Sequence, residues 1–371
     1  MEDNTLDIKE IIISEPQNIS KQPPEKEKDF MDVLRMFAPG TSIRSALDDL
    51  LNAHMGALVV FENEKVLEII EKGFRINAKF SPQRLVELAK MDGAIILSAD
   101  GKKILYANTL LAPDVNIFTK ETGTRHKAGE RTAKQARTLV IAVSERKNKI
   151  TIYYCDLKYE LKESSEILRR AAETLQILEK QREIYNDLMS DFNLLEINNL
   201  VTINDVSAIL QRIEIIKRIS SIVKRYLVEL GKEGIVVSIR LKELVGNIQK
   251  DEDVILKDYF LSNHLSVVGM LDNMNFDFLL EIPNVSRMLF PELHDNQISP
   301  RGLRLLSKTN ILERYRSSLT DRFKSLNKIL SASDAELLEV FENSETLNSF
   351  DKEMNNLREK IMARKDIDNF I

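Results

Sequence analysis

The chain has 371 residues, with 53 basic and 58 acidic side chains, a formal charge of −5 at neutral pH, 43% hydrophobic residues, one cysteine and four histidines. A chain of this length exceeds the size at which one core keeps growing, so it should divide into two or three domains, and its hydrophobic content can fill them. The acidic balance excludes wholesale coating of nucleic acid, a lone Cys155 excludes an internal disulfide, four scattered histidines exclude a structural zinc cluster, and the lack of a long apolar run or basic leader predicts a cytoplasmic protein with no membrane partner.

Residues 1–28 include "SKQPPEKEK", rich in proline and charge, and read as a flexible N-terminal extension. From residue 29 to 158 the pattern alternates as in a compact α/β domain. "GALVVF" (Gly56 to Phe61) and "VLEII" (Val66 to Ile70) read as adjacent strands across a polar turn. Ser81 and Pro82 supply an N-cap and first-turn proline for a helix with Leu85, Leu88 and Ala89 on one face. "GAIILS", the Asp100-Gly101 turn and "KILYA" predict a hairpin, and "LVIAVS" with "ITIYY" predicts a second one.

Residues 159–290 read as a helical domain. Ile167, Ala171, Leu175, Leu178, Tyr185, Leu188, Phe192 and Leu195 form a core-facing stripe. A second helix is bracketed by an acidic capping box, Thr202 with Asp205, and by Gly231 at the position of a C-terminal cap. Residues 291–371 continue as short helices, and Pro300 to Leu330 holds eight basic residues against two acidic ones. This basic segment fits a DNA contact or a solvated helical surface equally well.

One short stretch carries most of the chemical signal. "ETGTRHKAGERTAKQA" (Glu121 to Ala136) concentrates Arg125, His126, Lys127, Arg131 and Lys134 in an acidic protein. Thr122, Gly123 and Thr124 precede good helix formers, which puts Arg125 to Lys127 at a helix N-terminus, where backbone N–H groups and the helix dipole already favour an anion. Cations there oppose the helix itself and make sense when a polyphosphate arrives. Alone, such a cluster reads most simply as a solvated loop. Asp92-Gly93-Ala94 lies where a predicted helix meets a strand, so Asp92 could hold a divalent cation and Gly93 could let a ligand approach the backbone. Alone, Asp-Gly is an ordinary turn pair. Together they suggest a phosphate-handling α/β domain.

Asp92-Gly93-Ala94, then Gly123-Thr124-Arg125-His126-Lys127, then "LVIAVSERKNKIT" resemble the signatures of diadenylate cyclase domains. "LQILEKQREI", "LQRIEIIKRI", "VELGKEG" and "SPRGLRLLSK" extend the resemblance to the DisA branch, from about Asp29 to Leu338. The resemblance implies a multidomain α/β plus all-α chain: a cyclase domain with a mixed sheet flanked by helices, a helical linker and a C-terminal helix-hairpin-helix-like domain. It implies condensation of two ATP molecules into cyclic di-AMP by symmetric attack across two facing copies in a homo-oligomer, an octamer in this family. It implies Mg²⁺ or Mn²⁺ at Asp92 and His126, Asp92 assisting deprotonation of the 3′-OH, and Arg125, His126 and Lys127 at the phosphates. Gly93, Leu111, Thr124, Ala128 and Ser144 fall on nucleotide-contact positions.

Three departures stand inside the basic motif: Lys127 where arginine is usual, Ala128 where threonine is common, and Gly129 where alanine is usual. They bear on turnover more than on reaction type. In the C-terminal hairpin, Glu342 and Ser344 fall near two glycine positions whose backbone amides would meet a DNA phosphate, and Glu342 and Glu345 would repel it. Weak or altered DNA binding is therefore expected. The rival reading is a catalytically weak or inactive scaffold that binds DNA or senses nucleotides. A nucleotide hydrolase lacks a recognisable nucleophile or two-metal carboxylate set.

Overall fold

The computed structural model describes residues 24–260, 264–291, 297–341 and 343–364. These fall into two compact units, Met1–Glu173 with Lys224–Ser238, and Thr174–Val223 with Ile239–Ile371. Each is described by itself.

The first unit opens with helix α1 (Pro24–Arg35), which starts on a proline at the position where its missing N–H costs nothing. It therefore begins inside the stretch expected to be extension, the rest of which lies outside the described residues. Helix α2 (Ser42–Asn52) follows, capped by Thr41. The strands are β1 (Ala57–Phe61), β2 (Ile70–Lys79), β3 (Ala94–Leu97), β4 (Lys103–Leu111), β5 (Leu139–Ser144), β6 (Lys149–Tyr154) and β7 (Leu157–Leu161). They form one mixed sheet in the order β2-β4-β3-β1-β5-β6-β7, with β1 and β3 parallel and the other neighbours antiparallel.

All five residues of β1 are buried, as a central strand covered on both faces requires. Ala57, Val59 and Phe61 join Phe37, Leu47, Leu50 and Leu85 in one apolar layer. Leu58 and Val60 join Val66, Ile69, Ala133, Ala136 and Tyr153 in the other. The period-2 alternation of the strand thus builds a three-layer α/β/α sandwich.

One predicted strand is a helix. "VLEII" lies mostly in α3 (Glu64–Ile69), because Asn63 caps it by accepting a hydrogen bond from the Val66 N–H at 2.9 Å, and Val66 and Ile69, one turn apart, share the buried face. The strand that pairs with β4 is β2, where Phe74, Ile76 and Ala78 alternate with Arg75, Asn77 and Lys79 and Ile76 packs against the core, a period-2 signal that the sequence reading passed over. The predicted helix is α4 (Pro82–Leu88), with Ser81 as its cap. Both predicted hairpins form, as β3–β4 and β5–β6. Helix α5 (Thr124–Ala136) lies on the β1–β5–β6 side through small residues. A Cβ at Gly129 would come within 3.1 Å of Leu58 Cδ1 and 3.4 Å of Val140 Cγ1, so glycine gives the helix its close approach here.

Two long helices, α6 (Ser164–Ile197) and α7 (Ile203–Leu230), contribute segments to both units. The capping box of α7 is present: Asp205 Oδ2 accepts from the Thr202 N–H at 2.8 Å, and Thr202 Oγ1 accepts from the Asp205 N–H at 3.3 Å. Gly231 follows with φ +50°, the left-handed conformation that ends a helix. The second unit continues through α8 (Ile235–Val245), α9 (Ile248–Tyr259), α10 (His264–Asn273), α11 (Phe276–Leu279) and α12 (Ile282–Leu289). It ends with α13 (Leu303–Ser307), α14 (Glu313–Phe323), α15 (Leu326–Ser331), α16 (Asp334–Leu338) and α17 (Ser344–Met362), packed around Leu305, Leu319, Leu326, Phe341, Phe350 and Leu357.

A buried ionic cluster pins α13. Arg304, 1% exposed, is held by Glu196 on α6 at 2.6 Å and by Asn193 Oδ1 at 2.7 Å. Asp258 on α9 accepts the N–H groups of Gly302, Leu303 and Arg304 at 2.7–2.9 Å. Burial and the Glu196 carboxylate push Asp258 up to about 7, against the pull of those N–H groups. Elsewhere in the basic segment Arg301 pairs with Asp321, Lys308 with Asp251 and Arg322 with Glu339, so at least four of its eight cations have acidic partners among the described residues.

Candidate functional site

The sheet register gathers the candidate residues at one end of the first unit. Parallel pairing of Leu58 with Ala94 puts Gly56 and Asp92 at matched positions ahead of β1 and β3. Ala57 pairs with Val143, so Ser144 closes β5 at the same end. Ala94 pairs with Thr109, which carries Leu111, the last residue of β4, there too. The clustering follows from register alone, since these residues are far apart in sequence.

Gly93 is conformationally required. Its φ is +91°, and a Cβ would lie 2.9 Å from Asn108 C and from Thr109 N and O, all backbone atoms. Asn108 sits opposite in the left-handed region, φ +49°, and its Nδ2 donates to the Asp92 carbonyl at 2.9 Å. The turn is thereby locked while the Asp92 side chain stays exposed and, among the described residues, unpaired.

Helix α5 begins at Thr124. Its N-cap is Gly123, which makes no side-chain capping hydrogen bond, and no acidic residue stands in its first turn. Its first N–H groups and the positive end of its dipole are therefore open to an anion. The four arginine and lysine side chains of this stretch divide into two sets. Arg131 donates to the carbonyls of Ile117 at 3.0 Å and Val115 at 2.8 Å, and Lys134 donates to the Phe118 carbonyl at 2.9 Å and pairs with Glu130 at 2.6 Å. With the Thr119–Glu130 hydrogen bond and the Asp114 N–H donating to Gln135 Oε1 at 2.8 Å, they fasten residues 114–119 to the helix. Arg131 and Lys134 are thus structural. Arg125 and Lys127 have no acidic partner among the described residues.

Arg125 is aimed by a second glycine. Its guanidinium occupies the place a side chain at Gly56 would take, with Cζ 2.9 Å from an ideal Cβ there. Arg125 therefore reaches the start of β1, next to the strand that begins just after Asp92 and Gly93. Thr124 is exposed on the first turn, and Ala128 packs against the Leu58 and Val60 layer. Ser144 closes its own turn, accepting from the Lys147 N–H at 3.3 Å.

His126 points elsewhere. Its Nδ1 lies 2.9 Å from Tyr153 Oη on β6; that hydroxyl donates to Glu121 Oε1 at 3.0 Å, and Glu121 pairs with Lys158 at 2.5 Å. Burial lowers the His126 pKa, Glu121 works against that, and Lys147, Lys158 and Arg125 lower it further, which favours the neutral ring. Burial raises the Glu121 carboxyl, but hydrogen bonds from Lys158 and Tyr153 outweigh it and leave it lowered. Burial and Glu121 raise the Tyr153 phenol and keep it protonated.

Asp92 and His126 thus enter from different parts of the sheet, ahead of β3 and over β6. Among the described residues no group of three or more His, Cys, Asp or Glu side chains is assembled as a metal site. One exposed carboxylate with open phosphate-binding groups nearby fits a Mg²⁺-type ion, which takes one or two protein carboxylates and completes its shell with substrate oxygens and water. Sequence reading missed Gly56, Asn108, Glu121, Tyr153 and Lys158. The first two act through backbone geometry, and the other three sit in segments whose patterns signal only loop or strand.

No helix among the described residues is long and apolar enough to cross a membrane. Residues 44–156 match the family described as DisA bacterial checkpoint controller nucleotide-binding, and residues 161–295 match the DisA bacterial checkpoint controller linker region. The DNA integrity scanning protein DisA of Acetivibrio thermocellus is 44% identical over 329 residues, 85% of this chain and 90% of that protein. Its namesake from Clostridium botulinum (strain Loch Maree) is 37% identical over 353 residues, 92% of this chain and 99% of that protein. A solved structure of DacA from Staphylococcus aureus is 25% identical, covering 38% of this chain and 90% of its own, with a TM-score of 0.29. With both regions matched in order and similarity running over most of its length, the chain belongs to the DisA family.

Proposed function

We propose that this protein is a diadenylate cyclase that condenses two ATP molecules into cyclic di-AMP and releases two pyrophosphates. The observation that carries the reading is an uncapped helix start with two cations, Arg125 and Lys127, that have no acidic partner among the described residues, at the sheet end that also bears Asp92, likewise unpaired among them, beside Gly93. A merely structural surface has no reason to combine these. In each of two equivalent steps the 3′-oxygen of one ATP bonds to the α-phosphorus of the other. The bond from that phosphorus to the α–β bridging oxygen breaks, its electron pair leaves with pyrophosphate, and the 3′-hydroxyl proton is given up to water with Asp92 assisting.

Arg125 and Lys127 would hold the phosphates and offset the charge that moves onto the leaving group. The open N–H groups at Thr124 would add to that field, and Gly93, Leu111, Ala128 and Ser144 would border the nucleotide. Asp92, helped by His126, would hold Mg²⁺ or Mn²⁺, and the ion when bound supplies charge neutralisation and acidifies the attacking hydroxyl. One site presents one ATP, so two copies must face each other across a two-fold axis, as a homo-octamer of the family type would arrange.

DNA has a reduced role in this reading. Glu342 lies outside the described residues, but Ser344 is the first residue of α17, and Asn343 Oδ1 accepts the Thr346 N–H at 2.8 Å. The helix start that would meet a DNA phosphate is occupied by the chain's own side chain, beside Glu345.

The direct experiment incubates the purified chain with ATP and Mg²⁺ or Mn²⁺, beside Asp92→Asn, and identifies products by mass spectrometry. Cyclic di-AMP from the wild type alone is expected. No product with either ion, from folded and oligomeric protein, would overturn the proposal in favour of a scaffold that lost turnover.

A further inference from the structure

The open edge of the sheet carries charge that the fold does not use. Strand β2 ends the sheet beside β4. Its sequence, IEKGFRINAK, holds three cations, Lys72, Arg75 and Lys79, against one acid, Glu71, in a chain of net charge −5. Lys103 on β4 is the cross-strand partner of Lys79, and Arg84 on α4 donates to the Lys79 carbonyl at 2.7 Å. All five cations are exposed, and none has an acidic partner among the described residues. Two nearby acids are already engaged: Asp100 accepts from Ser98 and from the Lys102 N–H, and Glu87 pairs with Lys90 at 2.7 Å. Like charges directly opposite each other, as at Lys79 and Lys103, destabilise a sheet. Lysine is a common guard of an open edge against pairing with another chain, but that role does not account for Phe74. This ring stands in the middle of the same edge at 64% exposure, where an apolar side chain invites the pairing that a guard prevents.

We infer that the β2 edge binds single-stranded nucleic acid, with Lys72, Arg75, Lys79, Arg84 and Lys103 on its phosphates and Phe74 stacked on a base. Phe74 pairs with Ala107 and Arg75 with Tyr106, so these adjacent residues turn ring and guanidinium to opposite faces of the edge. A single strand divides in the same way, with charged phosphates along one side and unpaired bases along the other. A duplex keeps its bases in the stack and would leave Phe74 without a partner. From Lys72 to Lys79 the strand runs about 20 Å, room for a few nucleotides and near the lower end of the site sizes such surfaces have. The surface lies wholly in the first unit, and it depends on neither the cyclase reading nor the C-terminal hairpin.

The test titrates the full chain into fluorescent oligothymidine and oligouridine over a range of salt, read by anisotropy. Binding in the micromolar range at low salt is expected, with log K falling against log salt at a slope of roughly −3.5, about −0.7 for each of five phosphate contacts. The tighter of the two oligonucleotides tells whether DNA or RNA is the better ligand. Phe74→Ala should weaken binding about 5- to 150-fold and leave the salt slope alone. Lys79→Gln with Lys103→Gln should make the slope shallower by about 1.4. These side chains are exposed, so the melting temperature should not fall in either variant. Lys324→Gln with Lys328→Gln, in the basic C-terminal segment, should change neither affinity nor slope. Four results would overturn the inference: no binding at low salt, an affinity untouched by Phe74→Ala, a slope moved only by the C-terminal pair, or binding to phosphatidylglycerol vesicles in preference to either oligonucleotide.

Discussion

Gly56→Ala separates the aim of Arg125 from the stability of the fold. The new methyl would sit 2.9 Å from Cζ and 3.2 Å from Nη2 of Arg125. Those atoms are the far end of an exposed, flexible side chain, and Gly56 is not among the residues with positive φ. Relief therefore comes from swinging the guanidinium away, without moving strand β1. Stability should change by no more than about 1 kcal/mol, with the lost chain entropy of glycine tending to raise it. The charge-assisted hydrogen bonds that Arg125 would make to phosphate are each worth about 1.5–3 kcal/mol, so the initial rate of cyclic di-AMP formation should fall roughly 10- to 150-fold. Arg125→Ala should lose a similar amount, and the double variant little more than either alone, because both remove one interaction. Full activity in Gly56→Ala, with the oligomer intact, would refute the claim that Arg125 acts from the start of β1.

Four further outcomes can be checked. Gly93→Ala combines a left-handed backbone with collisions against the backbone of Asn108 and Thr109, so it should cost about 3 kcal/mol or more in urea unfolding; wild-type stability would contradict the turn geometry. Glu196→Gln leaves the buried Arg304 without its counter-charge and should cost about 3–5 kcal/mol, whereas Glu196→Leu combined with Arg304→Met should cost less than the sum of the two single changes; simple additivity would count against the pairing. Because the folded-state pKa of Asp258 is raised to about 7, its contribution to stability is fully present at acid pH and is lost as pH rises through that value. The stability difference between wild type and Asp258→Asn should therefore shrink by about 1 kcal/mol per unit between about pH 5 and 7, and a flat difference would refute the assignment. Finally, binding of the full chain to branched DNA, read by fluorescence anisotropy, should be weak and strongly salt-dependent; tight binding that survives high salt would show that capping by Asn343 does not close this route.

Most of the architecture was legible because it rests on short-range signals. Ser81-Pro82, Thr202 with Asp205, and Gly231 mark helix ends by local hydrogen-bond chemistry, and these marks appear where the sequence put them. The error at Val66 to Ile70 has the same origin in reverse: five mostly apolar residues fit either period, and the decisive signal was the cap at Asn63 just before them. Strand β2 was overlooked although Phe74, Ile76 and Ala78 alternate with polar residues, because Glu71 to Gly73 break the pattern where the register shifts opposite β4 and its apolar side chains are at most half-buried. In the candidate site, Asp92, Gly93 and Arg125 to Lys127 stood out by type and spacing. Gly56 and Tyr153 did not, since the first matters for the space it leaves and the second for hydrogen bonds to His126 and Glu121, 27 and 32 residues away in sequence.

The fastening of residues 114–119 to α5 has a dynamic consequence. Arg131, Lys134, Glu130 and Gln135 hold this loop by hydrogen bonds that exist only while the helix is formed. The loop and the helix should therefore open as one cooperative unit, with amide hydrogens in both exchanging at a common free energy despite the loop's exposed surface. A nucleotide that grips only the first turn of α5 would then slow exchange across Val115 and Phe118 as well, reporting occupancy of the site from a segment it never touches.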